Sequence, residues 1–209
     1  MVKKLMSFRL EEKLNISNKN KILFKKWLLE NNAEKIYNDR IISSIYLDTL
    51  NFDLYKSSIE GITPKKIIRL RGYDEYTRIK KLNKLELKIS SSEGKFKKTS
   101  DIKNVNSILK FGLFDKDYGI CKPKVIVSFT RSYFKVFEVR VTFDCNIKYI
   151  KYTNNVINSS FVKDKSFIAE IKTNNIEYIK YIYEKFPFNK LKFSKYCRAI
   201  EHLFVLQMP

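Results

Sequence analysis

Charged residues recur two apart in five segments of this sequence: Arg9, Glu11 and Lys13; Arg69 and Arg71; Glu86 and Lys88; Arg140, Thr142 and Asp144; Glu170 and Lys172. On a β-strand, residues two apart share a face, so each segment as a strand carries one charged face. On four of them the alternate positions are apolar: Ile68 and Leu70; Leu85, Leu87 and Ile89; Val139, Val141 and Phe143; Ala169 and Ile171. A sheet with one solvated side gives the same pattern. Two details point to chemistry instead. Arginine stands at Arg9, Arg69, Arg71, Arg131 and Arg140 although lysine is the commoner cation elsewhere in the chain, and the planar guanidinium fork matches phosphate oxygens in pairs. A carboxylate also precedes a lysine by two residues at Glu11, Glu86 and Glu170. A carboxylate among cations can hold a hard divalent metal while the cations hold phosphate oxygens. Turned inward, these faces would line a polar tunnel with a cationic excess.

Composition names the class of partner. The chain has 209 residues, with 42 Lys and Arg against 22 Asp and Glu, a net charge of +20. Such an excess repels itself in a compact state and is best tolerated beside a polyanion; nucleic acid, an anionic membrane and polyphosphate all qualify. A hydrophobic share of 44% is that of a globular chain with a real core. Cys121, Cys145 and Cys197 are far apart, without a Cys-x-x-Cys pair, which excludes a zinc finger, argues against a disulfide scaffold and points to a reducing compartment. The single histidine, His202, removes His-rich metal sites and most histidine-based acid–base mechanisms, and beside apolar residues it reads as structural. There is no secretory signal and no apolar run of the ~20 residues that span a bilayer, so the expectation is a soluble, cytoplasmic protein.

The elements that must position these residues are mostly short strands. Segments 8–16, 41–48, 66–73, 84–90, 94–99, 125–134, 137–144, 147–152 and 167–173 read as strands; 18–31 (capped by Asn18), 51–59 (ended at Gly61), 101–111, 176–186 and 193–206 read as helices. Scarce Gly and Pro and no linker composition predict one domain over residues 1–209. The expected class is α+β: a closed antiparallel β-barrel with helices packed outside.

Taken together, these segments resemble the VTC domain, the polyphosphate polymerase branch of the triphosphate tunnel metalloenzyme (CYTH-like) superfamily. The resemblance rests on Phe8-Arg-Leu-Glu-Glu-Lys13, Ser44-Ile-Tyr-Leu-Asp-Thr49 with Asp53-Leu-Tyr55, Ile67-Ile-Arg-Leu-Arg-Gly-Tyr73 and Leu85-Glu-Leu-Lys88. Ser128-Phe-Thr-Arg131, Val139-Arg-Val-Thr-Phe-Asp144, Ala169-Glu-Ile-Lys172 and Lys192-Phe-Ser-Lys-Tyr196 follow in the family order. It implies a tunnel that binds ATP and Mn²⁺ or Mg²⁺ and passes the terminal phosphoryl group to a polyphosphate chain. By similarity, Arg69, Arg71, Lys88, Arg131 and Lys195 are assigned to catalysis, and Arg9, Lys13, Lys97 (over Lys98), Arg140, Lys172 and Lys192 to phosphate binding. Glu170, Glu11 and Glu86, in that order, are the expected metal ligands. Phe129 stands where the polymerase pattern more often has tyrosine. No inositol-phosphate-sensing SPX domain and no membrane region accompany the motifs, so a stand-alone version is expected; any export partner in a membrane would be another chain.

Two other readings remain open from sequence. A hydrolase of the same fold would cleave tripolyphosphate or a nucleoside triphosphate, but hydrolytic relatives typically open with Glu-x-Glu-x-Lys, and here Arg9 replaces the first glutamate. A non-catalytic polyanion binder, of RNA for instance, would expose aromatic platforms among basic residues, with Tyr73, Tyr76 and Tyr133 as candidates. Carboxylates paired with the basic faces fit metal-assisted chemistry better, so no specific nucleic acid is expected.

Overall fold

Period-two patterning produces strands wherever charged and apolar residues alternate, and the computed structural model describes residues 10–17, 20–75, 82–92, 94–153, 156–157, 160–175, 177–178, 180–181 and 192–206. The strands are β1 (Leu10–Ile16), β2 (Glu34–Asp48), β3 (Lys65–Gly72), β4 (Lys84–Ser91), β5 (Gly94–Asp101), β6 (Leu113–Asp115), β7 (Gly119–Val136), β8 (Val139–Thr153), β9 (Val156–Ile157), β10 (Val162–Asp164) and β11 (Phe167–Thr173). The helices are α1 (Asn20–Glu30), α2 (Asp53–Glu60), α3 (Val105–Phe111) and α4 (Lys195–Ile200), the last continuing as a π-helical turn over Glu201–Val205. Of the helix expected over 176–186, residues 177, 178, 180 and 181 are helical and the rest lie outside the described residues.

Two compact units divide the chain. The first comprises Met1–Arg40, Phe129–Ile147 and Lys165–Phe193, the second Ile41–Ser128, Lys148–Asp164 and Ser194–Pro209. Strands β2, β7 and β8 are long enough to contribute a stretch to each. In the first unit β1 pairs antiparallel with β11 and β11 with β8. In the second, β2, β3, β4 and β5 form consecutive antiparallel pairs.

The apolar faces are covered by helices. In the first unit Leu14, Ile16, Val141, Phe143, Ala169 and Ile171 pack with Phe24, Trp27 and Leu28 of α1. In the second, Ile45, Leu47, Ile68 and Leu70 pack with Leu54 of α2 and Leu109 of α3. Local chemistry starts the helices: Ser17 Oγ accepts from Asn20 N (3.2 Å), Asn104 Oδ1 from Ser107 N (3.1 Å) and Ser194 Oγ from Cys197 N (3.3 Å). Asn18, the expected first cap, lies outside the described residues. Helix α3 ends at Gly112, whose φ of 87° and approach to Cys121 O (2.7 Å from where a Cβ would sit) leave no room for another side chain.

The structure departs from the sequence expectation chiefly in barrel closure and in strands β2 and β8. The pairing path β1-β11-β8-β7-β2-β3-β4-β5 is open, so the expected closed barrel is not formed among the described residues: neither β1 nor β5 has a second partner strand there. The free edge of β5 is guarded by the exposed Lys95, Lys97 and Lys98, and charged edges resist further pairing. Strand β2 begins at Glu34 rather than Ile41 because tertiary pairing overrides the poor β propensity of its polar start; Tyr37 meets Tyr133 edge-on there at 5.5 Å. Strand β8 runs unbroken past the expected interruption, Asn146 taking a left-handed φ of 53° within it, while Phe137 sits in the β7–β8 turn and not in a strand.

Phe24 is buried and stacks on Phe143 with ring centroids 5.0 Å apart. Phe24→Ala is expected to cost about 3–5 kcal/mol of stability, read as a fall in the urea midpoint without a change in slope.

Candidate active site

In the second unit the cross-strand register aligns Tyr46 of β2 with Arg69 of β3, and Arg69 with Glu86 of β4; the neighbouring row aligns Ser44 with Arg71. Directly opposed residues share a face, so the two arginines of β3 and the carboxylate of β4 meet. Glu86 is the hub. Its Oε2 accepts from Arg69 Nε (2.8 Å) and Nη2 (2.5 Å) and lies 3.5 Å from Arg71 Nη1, while its Oε1 accepts from Lys97 Nζ (2.5 Å). Arg69 Nη1 donates to Tyr46 Oη at 3.1 Å and Arg71 Nε to Ser44 Oγ at 3.2 Å. Lys88, opposite Lys97 in register, is half-buried on the same face.

Lys195 opens α4 and acts electrostatically on Tyr46. The next residue, Tyr196, stacks on Tyr46 with centroids 5.1 Å apart and donates to Asp48 Oδ2. Asp48 is fully buried and also accepts the backbone N–H groups of Thr49 (2.7 Å), Leu54 (2.9 Å) and Tyr55 (3.0 Å). A single carboxylate thus ties the start of α2 to α4 and fixes where Lys195 begins.

In the first unit, two cross-strand rows share the charged face: Glu11, Lys172 and Arg140, then Lys13, Glu170 and Thr142. Lys172 Nζ lies 2.7 Å from Glu170 Oε1 and 3.3 Å from Glu11 Oε2. Arg131 of β7 grips Asp144 with both arms, Nε to Oδ1 at 2.5 Å and Nη2 to Oδ2 at 2.7 Å, and its Nη2 is 3.7 Å from Glu170 Oε2. Its guanidinium carbon lies 5.3 Å from the centre of the Phe129 ring, which offers no hydroxyl. Lys13 Nζ donates to Phe193 O at 2.9 Å, and Lys192 beside it is exposed. Arg9 lies outside the described residues.

The centres of these faces are not solvated. Arg69 is 7% exposed, Arg71 8%, Glu86 2%, Asp144 0% and Glu170 6%, which removes the ordinary explanation for the charge alternation. The electrostatics follow. Burial works against the Glu86 anion, but Arg69 and Arg71 outweigh it and hold its carboxyl well below the usual range. Burial likewise opposes the Lys172 and Arg131 cations; Glu170 and Glu11 more than offset it for Lys172, and Asp144 and Glu170 for Arg131, so both are held charged. Burial raises the Tyr46 phenol, yet Arg69, Arg71 and Lys195 bring it below its ordinary value.

Divalent metal was expected at Glu170, Glu11 and Glu86. Both oxygens of Glu86 are held by cations, as are those of Glu170 by Lys172 and Arg131, so each carboxylate orients its cations in this geometry. Glu170 and Glu11 converge on Lys172 and offer only hard oxygen donors. Among the described residues no three His, Cys, Asp or Glu side chains gather as a ligand set. Mg²⁺ and ions like it are commonly held by one or two carboxylates with substrate phosphates completing the shell, and the Glu170–Glu11 pair fits that pattern.

Sequence reasoning passed over Ser44, Tyr46, Asp48 and Tyr196 as site residues. The signal was present: Ser44, Tyr46 and Asp48 are two apart, polar, and inside a quoted motif. Of the aromatic platforms considered for RNA, Tyr133 is buried, Tyr73 is exposed and Tyr76 lies outside the described residues. The three cysteines are free, and His202 lies 3.2 Å from Arg198 Nη2 and stacks on Tyr149. No helix among the described residues is long and apolar enough to cross a membrane.

Several solved structures share the fold. A candidate adenylate cyclase from Vibrio parahaemolyticus is 15% identical, with 93% of this chain and 98% of that chain covered and a TM-score of 0.54. A candidate adenylyl cyclase from Hippeastrum, described as having a dominant triphosphatase activity, is 16% identical over 94% of this chain and 96% of that chain, with a TM-score of 0.53. A conserved hypothetical protein from Pyrococcus furiosus is 15% identical over 84% and 86%, with a TM-score of 0.50. No curated protein matches the sequence. A family model, the VTC domain, matches residues 8–204.

The Glu86 hub makes a prediction about acid stability. Its folded pKa lies below the ordinary glutamate value of 4.5, so the unfolded chain binds the proton more tightly. The stability it contributes is complete above about pH 4.5 and drains away as pH falls below it. Glu86→Gln is expected to be less stable at pH 7, because the guanidiniums lose their counter-charge, and to show a flatter fall between about pH 5 and pH 3. Urea midpoints across that range check both effects.

Proposed function

The chain belongs to the VTC domain family, with residues 8–204 matched, and on that premise we propose that it transfers the terminal phosphoryl group of ATP onto a growing polyphosphate chain. The observation that carries this reading is the burial of Arg69 and Arg71, and the partial burial of Arg131 and Lys172, on charged sheet faces where carboxylates hold them. Buried cations with fixed geometry suit a substrate that presents many phosphate oxygens and little else.

Arg69 and Arg71, held by Glu86, bind phosphate oxygens and neutralise charge as the phosphoryl group moves. Arg131, Lys172, Lys13, Lys88, Lys97, Arg140, Lys192, Lys195 and Arg9 supply further phosphate contacts. Glu170 with Glu11 would hold Mn²⁺ or Mg²⁺, which would supply charge neutralisation at the phosphate oxygens. The bond between the γ-phosphorus and its bridging oxygen breaks, ADP leaves with the electron pair, and a terminal phosphate oxygen of the chain forms the new bond. That acceptor is an anion at neutral pH, so alignment and electrostatics suffice and no general base is needed.

Hydrolysis is the second reading, favoured by the triphosphatase activity described for the Hippeastrum protein. The same faces would serve it, with water in place of the chain. Incubation with ATP and Mn²⁺, followed by a gel that resolves phosphate chains, separates the two: long chains with ADP are expected, and orthophosphate as the sole phosphate product assigns hydrolysis. Arg71→Lys keeps the charge and loses the fork, and is expected to lower kcat/KM roughly 10- to 100-fold with folding retained; unchanged turnover removes Arg71 from the site. Glu170→Gln is expected to raise the Mn²⁺ concentration needed for half-maximal activity, and an unaltered metal titration removes Glu170 as a ligand.

A further inference from the structure

Strand β8 presents Arg140, Thr142 and Asp144 on the charged face of the first unit. Asp144 is taken up by Arg131. Its neighbours differ. Thr142 is 2% exposed, and its Oγ1 has no hydrogen-bond partner among the described residues; Arg140 Nε, two residues earlier on the same face, is also buried and unpartnered there. Thr142 lies opposite Glu170 in register and Arg140 opposite Lys172, so both orphan donors border the carboxylate–ammonium cluster.

A buried hydroxyl without a partner is a cost, because it gives up water and gains nothing. Valine has nearly the same shape, favours strands more strongly and carries no such penalty; β8 uses it at Val139 and Val141 on the opposite face. Threonine at this position is therefore explained by something that its hydroxyl meets only part of the time. Arg140 Nε is a donor only, so one atom serving it and the Thr142 O–H together must be an acceptor. Among the charges already on this face, that acceptor fits best as an oxygen of a tetrahedral oxyanion.

We propose that Thr142 Oγ1 and Arg140 Nε form a phosphate-oxygen subsite, in which the Thr142 hydroxyl donates to a phosphoryl oxygen of the bound chain. The inference rests on the reading of the charged faces as phosphate-binding and adds a ligand to them. Thr142 is a substrate-contacting residue without a role in bond breaking, so its loss weakens binding of a phosphate chain.

The test is Thr142→Val, measured for thermal stability without ligand and for tripolyphosphate affinity by calorimetry at fixed ionic strength. An unsatisfied hydroxyl predicts that the variant melts at the same temperature as the wild type or higher, while its tripolyphosphate Kd rises roughly 10- to 100-fold, the range for a hydrogen bond to a charged group. A lowered melting temperature overturns the proposal, because the hydroxyl then has a structural partner. An unchanged Kd overturns it while leaving the phosphate-binding reading intact. Wild-type protein that fails to bind tripolyphosphate removes both. Thr142→Ser, which keeps the hydroxyl, is expected to restore most of the affinity; failure of that rescue assigns the effect to packing and overturns the subsite.

Discussion

A charge buried in a protein interior must be met by an opposite charge at hydrogen-bonding distance, or it loses more in leaving water than the fold can return. That constraint organises both units. In one, Glu86 sits almost sealed from solvent and holds Arg69, Arg71 and Lys97 around it. In the other, Asp144 holds Arg131, and Glu170 holds Lys172. The carboxylates fix where the cations point, and a guanidinium whose orientation is already set loses little freedom when a phosphate arrives. The Glu86 cluster has three cationic partners for one carboxylate, which leaves it a net positive charge.

Such an arrangement is possible only because the opposite side of each sheet is apolar and capped. Side chains alternate with a period of two, so a one-residue slip in register would carry the arginines into the cores beneath the helices and expose the leucines. The cores forbid it. Leu14, Val141 and Ala169 are locked under α1, and Ile45, Ile68 and Leu70 under α2 and α3. Asp48 adds a second device. By accepting from two N–H groups of α2 and from Tyr196, it fixes the start of α4, and with it Lys195, relative to the face that carries Tyr46. Packing therefore sets the register, and the register sets the chemistry.

This explains which parts were legible in the sequence. Strands β3, β4, β8 and β11 and their charged faces were readable because burial on one side and charge on the other leave a clean period-two signal. The pairing of Arg69 with Glu86, or Arg131 with Asp144, was not, because cross-strand partners depend on register between segments distant in sequence. Glu86 shows why: seen alone it is a candidate metal ligand, and only the register reveals that it stands between two arginines and a lysine. The polar start of β2 was not assigned to a strand because its propensity is poor and only pairing makes it one. Barrel closure was inferred from the number of strands, which does not reveal whether the outer ones pair; the lysines along β5 were the contrary signal.

The commitments of the carboxylates also bear on the kind of reaction these faces suit. Activating water calls for a base with a free lone pair and a pKa close to the working pH. Glu86 lacks such a pKa, since two arginines and a lysine lie against its oxygens and hold it down. Asp144 is spent on both arms of Arg131, and Glu170 and Glu11 share Lys172. With His202 engaged by Arg198 and Tyr149, the described residues of these clusters offer cations in abundance and no uncommitted base. An acceptor that arrives already ionised, such as the terminal phosphate of a chain, needs only the cations. A neutral water molecule would need activation in addition, which a divalent metal held by Glu170 and Glu11 would supply, so the cation-rich faces serve either acceptor and the choice lies with what else is bound beside them.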